Sequence, residues 1–322
     1  MRGFKMLVDK LLQELNLSLS NICNANCIFC PRSAVKATGK VFMELDLVTK
    51  LVDEVTSSDF EKTGHKISHC NIGENGEPTL NKNLLPILRE VRRIGCTISM
   101  YTNFSKLDEN LAYTLISEKL VDNFHTNIDG CDSITYNIVK GLDYQTLSKN
   151  VMSFLGIRDL VQDSKTNLFI HVVTAENYKN AVYKHFKGHP TKLGRVGYVK
   201  QEAEKIVKTW KVLLRPSDGI AVDDCLMWAE RFGKNKIPGQ FTCRNIGRVE
   251  TNIFVNPNGD WYVCCFDVGN ELVLGNLYKQ SIVEVADSYT RKRTVRLLNQ
   301  QRFDELGPPC DRVDCCQVVN PY

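Results

Sequence analysis

The sequence predicts an α/β protein: a partial (β/α)6 barrel of the TIM type, followed by a small α+β unit rich in cysteine. Three observations carry this. From Leu15 to Arg215, short apolar runs of period two alternate with stretches of helical period, the arrangement of βαβ units around a parallel sheet with right-handed crossovers. The expected strands end in polar or glycine-rich residues, which favours a barrel with an active face over an open sheet. After Pro216 the period is lost, and a hairpin signal and a cysteine-rich tail follow. The expected organisation is a barrel over residues 1–216, a connector over 217–242 and a second unit over 243–322.

The elements follow in order. MRGFKMLVDKLLQEL has amphipathic helical spacing, and LNLSLSN (15–21) alternates as a strand. LDLVTKLVDEV (45–55) puts Leu45, Val48, Leu51, Val52 and Val55 on one helical face. KISHCNIG (66–73) is strand-like, and NLLPILREVRRIG is a helix closed by Gly95. CTISMYTN (96–103) is a strand, LDENLAYTLISEKL a helix, VDNFHTNIDG (121–130) a strand running into a turn, and YQTLSKNVMSFLGI a helix. TNLFIHVVTAEN (166–177) is a strand before the helical YKNAVYKHF, and TWKVLLRP (209–216) is expected as the sixth strand. Residues 217–243 show no period. NIFVNPNGDWYVCCFD (252–267) sets two β-rich runs around PNG, LVLGN is a short strand, and helix is expected in the residues up to 300.

Of the 322 residues, 43% are apolar and 24% charged, enough for a buried core and unlike a disordered composition. The net charge of +4, with acids and bases interspersed, gives no argument for a nucleic acid or an anionic membrane partner. No apolar run approaches the roughly 20 residues of a spanning helix. The first residues lack the apolar core and cleavage site of a signal peptide, so a cytoplasmic location is expected. The 13 cysteines are odd in number and cluster toward the two ends, the pattern of metal binding or redox chemistry rather than of a disulfide framework. Cys70, Cys96 and Cys131 stand singly and are expected as small core residues.

CNANCIFC places Cys23, Cys27 and Cys30 directly after the first strand. A structural zinc site or an electron-transfer cubane takes four protein ligands, whereas three leave a coordination position open. On spacing alone, zinc completed by a distant residue and three ordinary loop cysteines stay open as readings. With Phe29 before the third cysteine, the run resembles the CxxxCxxC signature of the radical S-adenosylmethionine (SAM) superfamily. The resemblance implies that the three thiolates hold a 4Fe-4S cluster whose fourth iron is chelated by SAM. It also implies reductive cleavage of SAM to a 5′-deoxyadenosyl radical that abstracts a substrate hydrogen atom. GENGEPTL (73–80) resembles the family's glycine–glutamate motif, with Gly76, Glu77 and Pro78 in the matching positions and the carboxylate implied to receive the SAM amino group. TNF (102–104) resembles the TNG turn, with Thr102 and Asn103. NIDG (127–130) resembles the SxDG turn, with Asn127 where the family often has serine and implied to meet the SAM ribose or carboxylate. Taken alone, such TN and DG pairs are ordinary strand-end turns. The resemblance spans about residues 15–215.

At the other end, Cys243, Gly259 and Cys264 are spaced so that the hairpin turns the last of them back toward the first. Cys310, Cys315 and Cys316 follow. Four thiols drawn from these close one metal site, and the ligand set alone leaves structural zinc open. The pattern, with GDWYVCCFD…LGNL, resembles the SPASM/Twitch extensions of radical SAM enzymes and implies an auxiliary 4Fe-4S cluster. Without the long CxxCx5Cx3C run it resembles the shorter Twitch form. The implied ligands are Cys243, Cys264, Cys310 and either Cys315 or Cys316, because Val313 stands where a final CxxC needs a cysteine.

Cys225 stands apart from both groups; it is either a hydrogen-atom donor of the kind found in radical epimerases or a small buried residue. Arg215, Asp223, Asp224 and Glu230 lie where the connector is expected to meet the barrel mouth. The resemblance implies a radical SAM oxidoreductase or epimerase acting on a small polar substrate such as an amino sugar or aminocyclitol. An electron donor such as flavodoxin or ferredoxin is implied as a partner. A barrel that begins within about fifteen residues of the start leaves no room before it for a peptide-recognition domain and favours the small molecule. Peptide modification is the alternative enzymatic reading, and an iron–sulfur electron carrier the non-catalytic one; a carrier needs neither an open iron nor Gly76–Glu77.

Overall fold

The computed structural model describes residues 10–27, 30, 32, 39, 41–174, 200–224, 241–243, 245–311 and 316–318. The strands are β1 (Glu14–Leu17), β2 (His69–Ile72), β3 (Thr97–Tyr101), β4 (Asn123–Asn127), β5 (Asn167–Thr174), β6 (Gly219–Asp224), β7 (Phe241–Cys243), β8 (Asn252–Val255), β9 (Asp260–Tyr262), β10 (Val273–Asn276) and β11 (Cys316–Val318). The helices are α1 (Leu45–Val55), α2 (Ser58–Lys62), α3 (Leu84–Arg92), α4 (Glu109–Ser117), α5 (Ser133–Lys140), α6 (Tyr144–Leu160), α7 (Lys200–Lys211), α8 (Ile246–Thr251), α9 (Ile282–Asp287) and α10 (Tyr289–Asn299).

β1 to β6 pair in sequence order, all parallel, as the six units of a partial barrel require. β8 joins the free edge of β1 in parallel, and β9 and β10 continue antiparallel, so nine strands form one sheet in the order β10-β9-β8-β1-β2-β3-β4-β5-β6. The C-terminal hairpin thereby covers an edge that would otherwise be open. β7 and β11 form a separate antiparallel pair.

Strand alternation sorts the residues. Leu15, Leu17, Cys70, Ile72, Ile98, Met100, Phe124, Leu168, Ile170 and Val172 are buried and belong to one continuous core with the helices. The intervening residues, among them Asn16, Asn71, Ser99 and His125, point to the other face. In the core, Phe124 and Phe154 meet edge-on at 4.8 Å, and Phe104 and Phe154 at 5.5 Å. Cys70 and Cys96 are buried as expected; Cys131 is half-buried at the core's margin, with its thiol 3.3 Å from Glu202 Oε2. Among the described residues, no helix is long and apolar enough to cross a membrane.

Three local readings need correction. The sixth strand is not TWKVLLRP: Thr209, Trp210 and Lys211 end α7, which buries Ala203, Ile206 and Trp210 at helical spacing, while Val212 is 80% exposed. The strand is Gly219–Asp224, inside the stretch expected as connector, and Gly219 lacks the Cβ that would lie 2.7 Å from the Phe169 ring. α5 arises between two expected elements because Asp132 and Thr135 form a reciprocal capping box and Gly141 ends it at φ +66°. Lys10–Gln13 are not helical, and Glu14 already belongs to β1. YKNAVYKHF lies outside the described residues, as do Phe29, Cys225, Glu230 and Cys315.

Candidate active site

The cysteine loop leaves β1 at the C-terminal edge of the sheet and is held there from three sides. Ser20 Oγ accepts from Ile22 N–H (3.0 Å), Glu77 N–H donates to Ile22 O (2.9 Å), and Asn26 N–H donates to Lys140 O (2.8 Å). The GENGEP loop runs so close that a Cβ on Gly76 would lie 2.2 Å from Ser20 O and 2.8 Å from Ile22 O, a distance only glycine tolerates. Cys23, Cys27 and Cys30 are half-buried and form no disulfide with one another, and Cys30 N–H donates back to Cys27 O (3.1 Å). Cys23 Sγ accepts from Ala25 N–H (3.4 Å) and from Asn103 Nδ2 (3.7 Å).

Glu77 is the hub of the next layer. It caps a short 3-10 turn begun by Pro78, and it is 2% exposed. Its Oε1 accepts from Thr79 N–H (3.1 Å), Thr79 Oγ1 (2.6 Å) and Thr102 Oγ1 (2.7 Å), and its Oε2 from Asn103 N–H (2.8 Å). Burial raises its carboxyl above the usual range, and these donors oppose the rise. Asn103 therefore touches both Cys23 and Glu77. Asn24 accepts from Asn103 Nδ2 (2.9 Å) and donates to Ser105 Oγ (2.7 Å), which fixes the amide. Asn127 ends β4 opposite His171, on the same rim.

Beneath the loop lies a buried ion pair that sequence reasoning missed. Lys140 Nζ sits 3.1 Å from Asp129 Oδ2, with side chains 5% and 0% exposed. Burial by itself would lower the ammonium's pKa, but Cys27 and Asp129 outweigh it and hold Lys140 charged. Gly141, directly after it, packs against Asn26. A cation is thus buried beside the cysteine loop.

The sheet's inner face is polar, also unforeseen. Across neighbouring strands, Asn71 Nδ2 donates to Asn16 Oδ1 (2.9 Å), Asn123 Nδ2 to Ser99 Oγ (3.3 Å) and Asn167 Nδ2 to Asn123 Oδ1 (3.1 Å). One layer nearer the rim, Tyr101 stacks on His125 (4.4 Å) and His125 on Phe169 (4.9 Å), while His125 Nδ1 lies 3.1 Å from His171 Nε2. Burial, then His171 and His69, lower the His125 pKa to about 4, so the imidazole is neutral. The signal was present in NFHTN, whose polar residues alternate with the core-facing Phe124, but alternation identifies a second face without saying what that face encloses.

Cys243, Cys264 and Cys310 share one apolar cluster, and the ladder β7–β11 sets Cys316 opposite Cys243. Cys265 adjoins the cluster, and Arg248 Nη1 lies 3.7 Å from its Sγ.

These two cysteine sets fit iron–sulfur clusters. Hydrogen bonds to Cys23 Sγ are the kind that tune cluster thiolates. Burial raises the Cys23 thiol and lifts Cys30 to about 11, a cost that a bound metal would offset by stabilising these two as thiolates.

The radical SAM superfamily profile matches residues 17–178, and the SPASM iron–sulfur cluster-binding domain profile matches residues 243–316. A probable GTP 3′,8-cyclase of Pyrococcus abyssi is 26% identical over 147 residues, 43% of this chain and 42% of that protein. A similar protein of Methanothermobacter thermautotrophicus is 28% identical over 138 residues, 41% and 40% of the two chains, so the chain matches less than half the length of these curated relatives. The fold is similar to that of BtrN in complex with AdoMet and 2-DOIA (TM-score 0.54, 17% identity, 97% of this chain and 95% of that one). It is also similar to Streptococcus suis SuiB bound to the precursor peptide SuiA (TM-score 0.59, 12% identity, 96% and 76%).

Proposed function

The chain belongs to the radical SAM superfamily and carries the SPASM iron–sulfur domain, and on that basis we propose that it oxidises or epimerises a small polar substrate by hydrogen-atom abstraction. Membership implies SAM, a 4Fe-4S cluster and auxiliary iron–sulfur chemistry. Cys23, Cys27 and Cys30 hold the first cluster, and Cys243, Cys264, Cys310 and Cys316 are the ligands assigned to the auxiliary one. When bound, cluster and SAM supply an electron and a 5′-deoxyadenosyl radical.

The observation that carries the reading is Asn103, whose side chain reaches Cys23 while its backbone N–H reaches Glu77. One residue joins the cluster loop to the one buried carboxylate of the GENGEP motif. Glu77 Oε2 accepts a single hydrogen bond from the described residues, which leaves a lone pair for the SAM ammonium. Thr102 and Thr79 hold the carboxylate in place, and Gly76 brings it to the loop. The amides and imidazoles of the inner face suit a polar substrate, and the stacked rings suit its apolar face. An external one-electron donor such as flavodoxin or ferredoxin completes the system. Peptide modification is the second reading, favoured by the similarity to peptide-bound SuiB.

Anaerobic reconstitution with iron and sulfide tests the reading. We expect about eight irons in two 4Fe-4S clusters and release of 5′-deoxyadenosine from SAM under reduction. Alanine at Cys23, Cys27 and Cys30 abolishes the release; alanine at Cys243 and Cys264 removes about four irons and leaves the first cluster's signal. A protein that takes up only zinc, or that leaves SAM intact when reduced, overturns it.

A further inference from the structure

The turn after β3 holds an amide against a cluster ligand. Asn103 is buried two residues beyond Tyr101, the last residue of β3. Its main-chain N–H serves Glu77 Oε2 (2.8 Å), while its side chain reaches the cysteine loop. The orientation of that side chain is fixed by its partners. Oδ1 accepts from Ser105 N–H (2.9 Å), a main-chain group that can only donate, so the oxygen must lie on that side. The nitrogen is thereby set against the loop, with its two hydrogens directed to Asn24 Oδ1 (2.9 Å) and Cys23 Sγ (3.7 Å). Asn24 Nδ2 donates in turn to Ser105 Oγ (2.7 Å) and closes the ring of contacts.

The core holds the turn that presents this amide. Phe104, the next residue, has φ +59°, a left-handed conformation that a bulky residue adopts only when its surroundings impose it. Its ring is buried, edge-on to Phe154 (5.5 Å) and Phe124 (6.1 Å). Its N–H donates to Thr102 Oγ1 (3.2 Å), and its carbonyl accepts from Asn150 Nδ2 (2.7 Å). Packing fixes the turn, and the turn fixes the amide. Among the described residues, Cys23 Sγ has two donors. Ala25 N–H (3.4 Å) belongs to the loop itself, and Asn103 is the one that comes from another element. A donor aimed at a cluster thiolate favours the state with more negative charge, which is the reduced one. Water screens that preference little in a buried loop.

We propose that the Asn103 side chain sets the reduction potential of the cluster held by Cys23, Cys27 and Cys30, raising it so that the one-electron donor can reduce it. This rests on the ligand assignment of the proposed function and goes beyond it by separating the residue's two contacts. The side chain governs how readily the cluster takes an electron. The main chain holds the Glu77 carboxylate. A side-chain substitution therefore changes the potential and leaves the seat for the SAM ammonium in place.

The test is a redox titration of the reconstituted full chain without SAM, followed by electron paramagnetic resonance. The first cluster's signal is the one missing from the protein with alanine at Cys23, Cys27 and Cys30. In Asn103→Ala the ratio of reduced to oxidised first cluster at a fixed potential is expected to fall about tenfold, a midpoint about 59 mV more negative. Asn103→Asp keeps an oxygen toward Ser105 N–H and sets a second against the sulfur, so its shift is larger and of the same sign. Asn24→Ala, at an exposed residue, loosens the amide and gives a smaller shift of that sign. The auxiliary cluster's midpoint stays unchanged in all three, and SAM affinity stays within about twofold of the parent. An Asn103→Ala midpoint equal to the parent's, a shift shared by both clusters, or an Asn103→Asp shift to more positive potential overturns the assignment. If Asn103→Ala holds no iron at the first site, Asn24→Ala decides, and an unchanged midpoint there overturns it as well. A parent that shows these shifts yet leaves SAM intact on reduction sinks the proposed reaction and supports the role of Asn103; a parent with no cluster on Cys23 sinks both.

Discussion

Replacing Gly76 by alanine probes the packing that brings Glu77 to the cysteine loop. The new Cβ would sit 2.2 Å from Ser20 O and 2.8 Å from Ile22 O. Both obstacles are backbone, so no rotamer relieves them. Restoring an ordinary contact of about 3.4 Å requires the two segments to part by about 1 Å. Glu77 N–H donates to Ile22 O across the same gap at 2.9 Å, so the parting falls on that bond and on the carboxylate behind it. Displacements of about 1 Å in a positioning group cost about 100-fold in rate. The expected result is therefore a roughly 100-fold slower formation of 5′-deoxyadenosine from SAM under a chemical reductant. Circular dichroism and the iron content of the first site serve as controls, because none of the three thiols is altered. A Gly76→Ala protein that cleaves SAM within about twofold of the parent rate would refute the claim that this contact sets the carboxylate's position.

Two further outcomes follow from buried charge. Lys140→Met leaves the buried Asp129 carboxyl without its cation, and denaturant unfolding should show a loss of about 3–5 kcal/mol, part of which the double variant with Asp129→Asn recovers; a loss below about 1 kcal/mol would refute the claim that the pair holds this part of the core together. His125 is neutral in the fold down to about pH 4, whereas the unfolded imidazole protonates near its ordinary value of 6.5. The unfolded state then binds more protons between those limits, so this contribution is present above 6.5 and is lost as pH falls toward 4, by at most on the order of 3 kcal/mol. The difference in stability between the parent and His125→Gln should change with pH in that window, and a constant difference refutes the assignment.

Much of the fold was legible because single elements announce themselves locally. α1 was read to the residue, since its five apolar positions share one face and no breaker interrupts them. The hairpin around PNG appears as β8 and β9, with Gly259 at φ +79° in the turn. The sixth strand was misplaced because WKVLL is apolar enough for either state, and the choice falls to α7's neighbours in the core. That β8, β9 and β10 extend the same sheet as β1 to β6 is a matter of strand pairing, which the loss of period after Pro216 does not show.

What the sequence by itself determined is the chemistry in contiguous motifs: three thiols in one loop, a glycine and a glutamate after the next strand, and a second cysteine set at the far end. Ligand spacing within a loop is a local property, and a chain read in order shows it. Only the tertiary structure decided which residues distant in sequence stand together. Asn103 meets both Cys23 and Glu77, Lys140 settles with Asp129 beneath the cysteine loop, and Tyr101, His125 and Phe169 stack across three strands. Those relations depend on parallel pairing, which sets residues some 30 apart side by side on one rim. They depend also on burial, which turns a polar residue that is unremarkable in sequence into a charge that must find a partner.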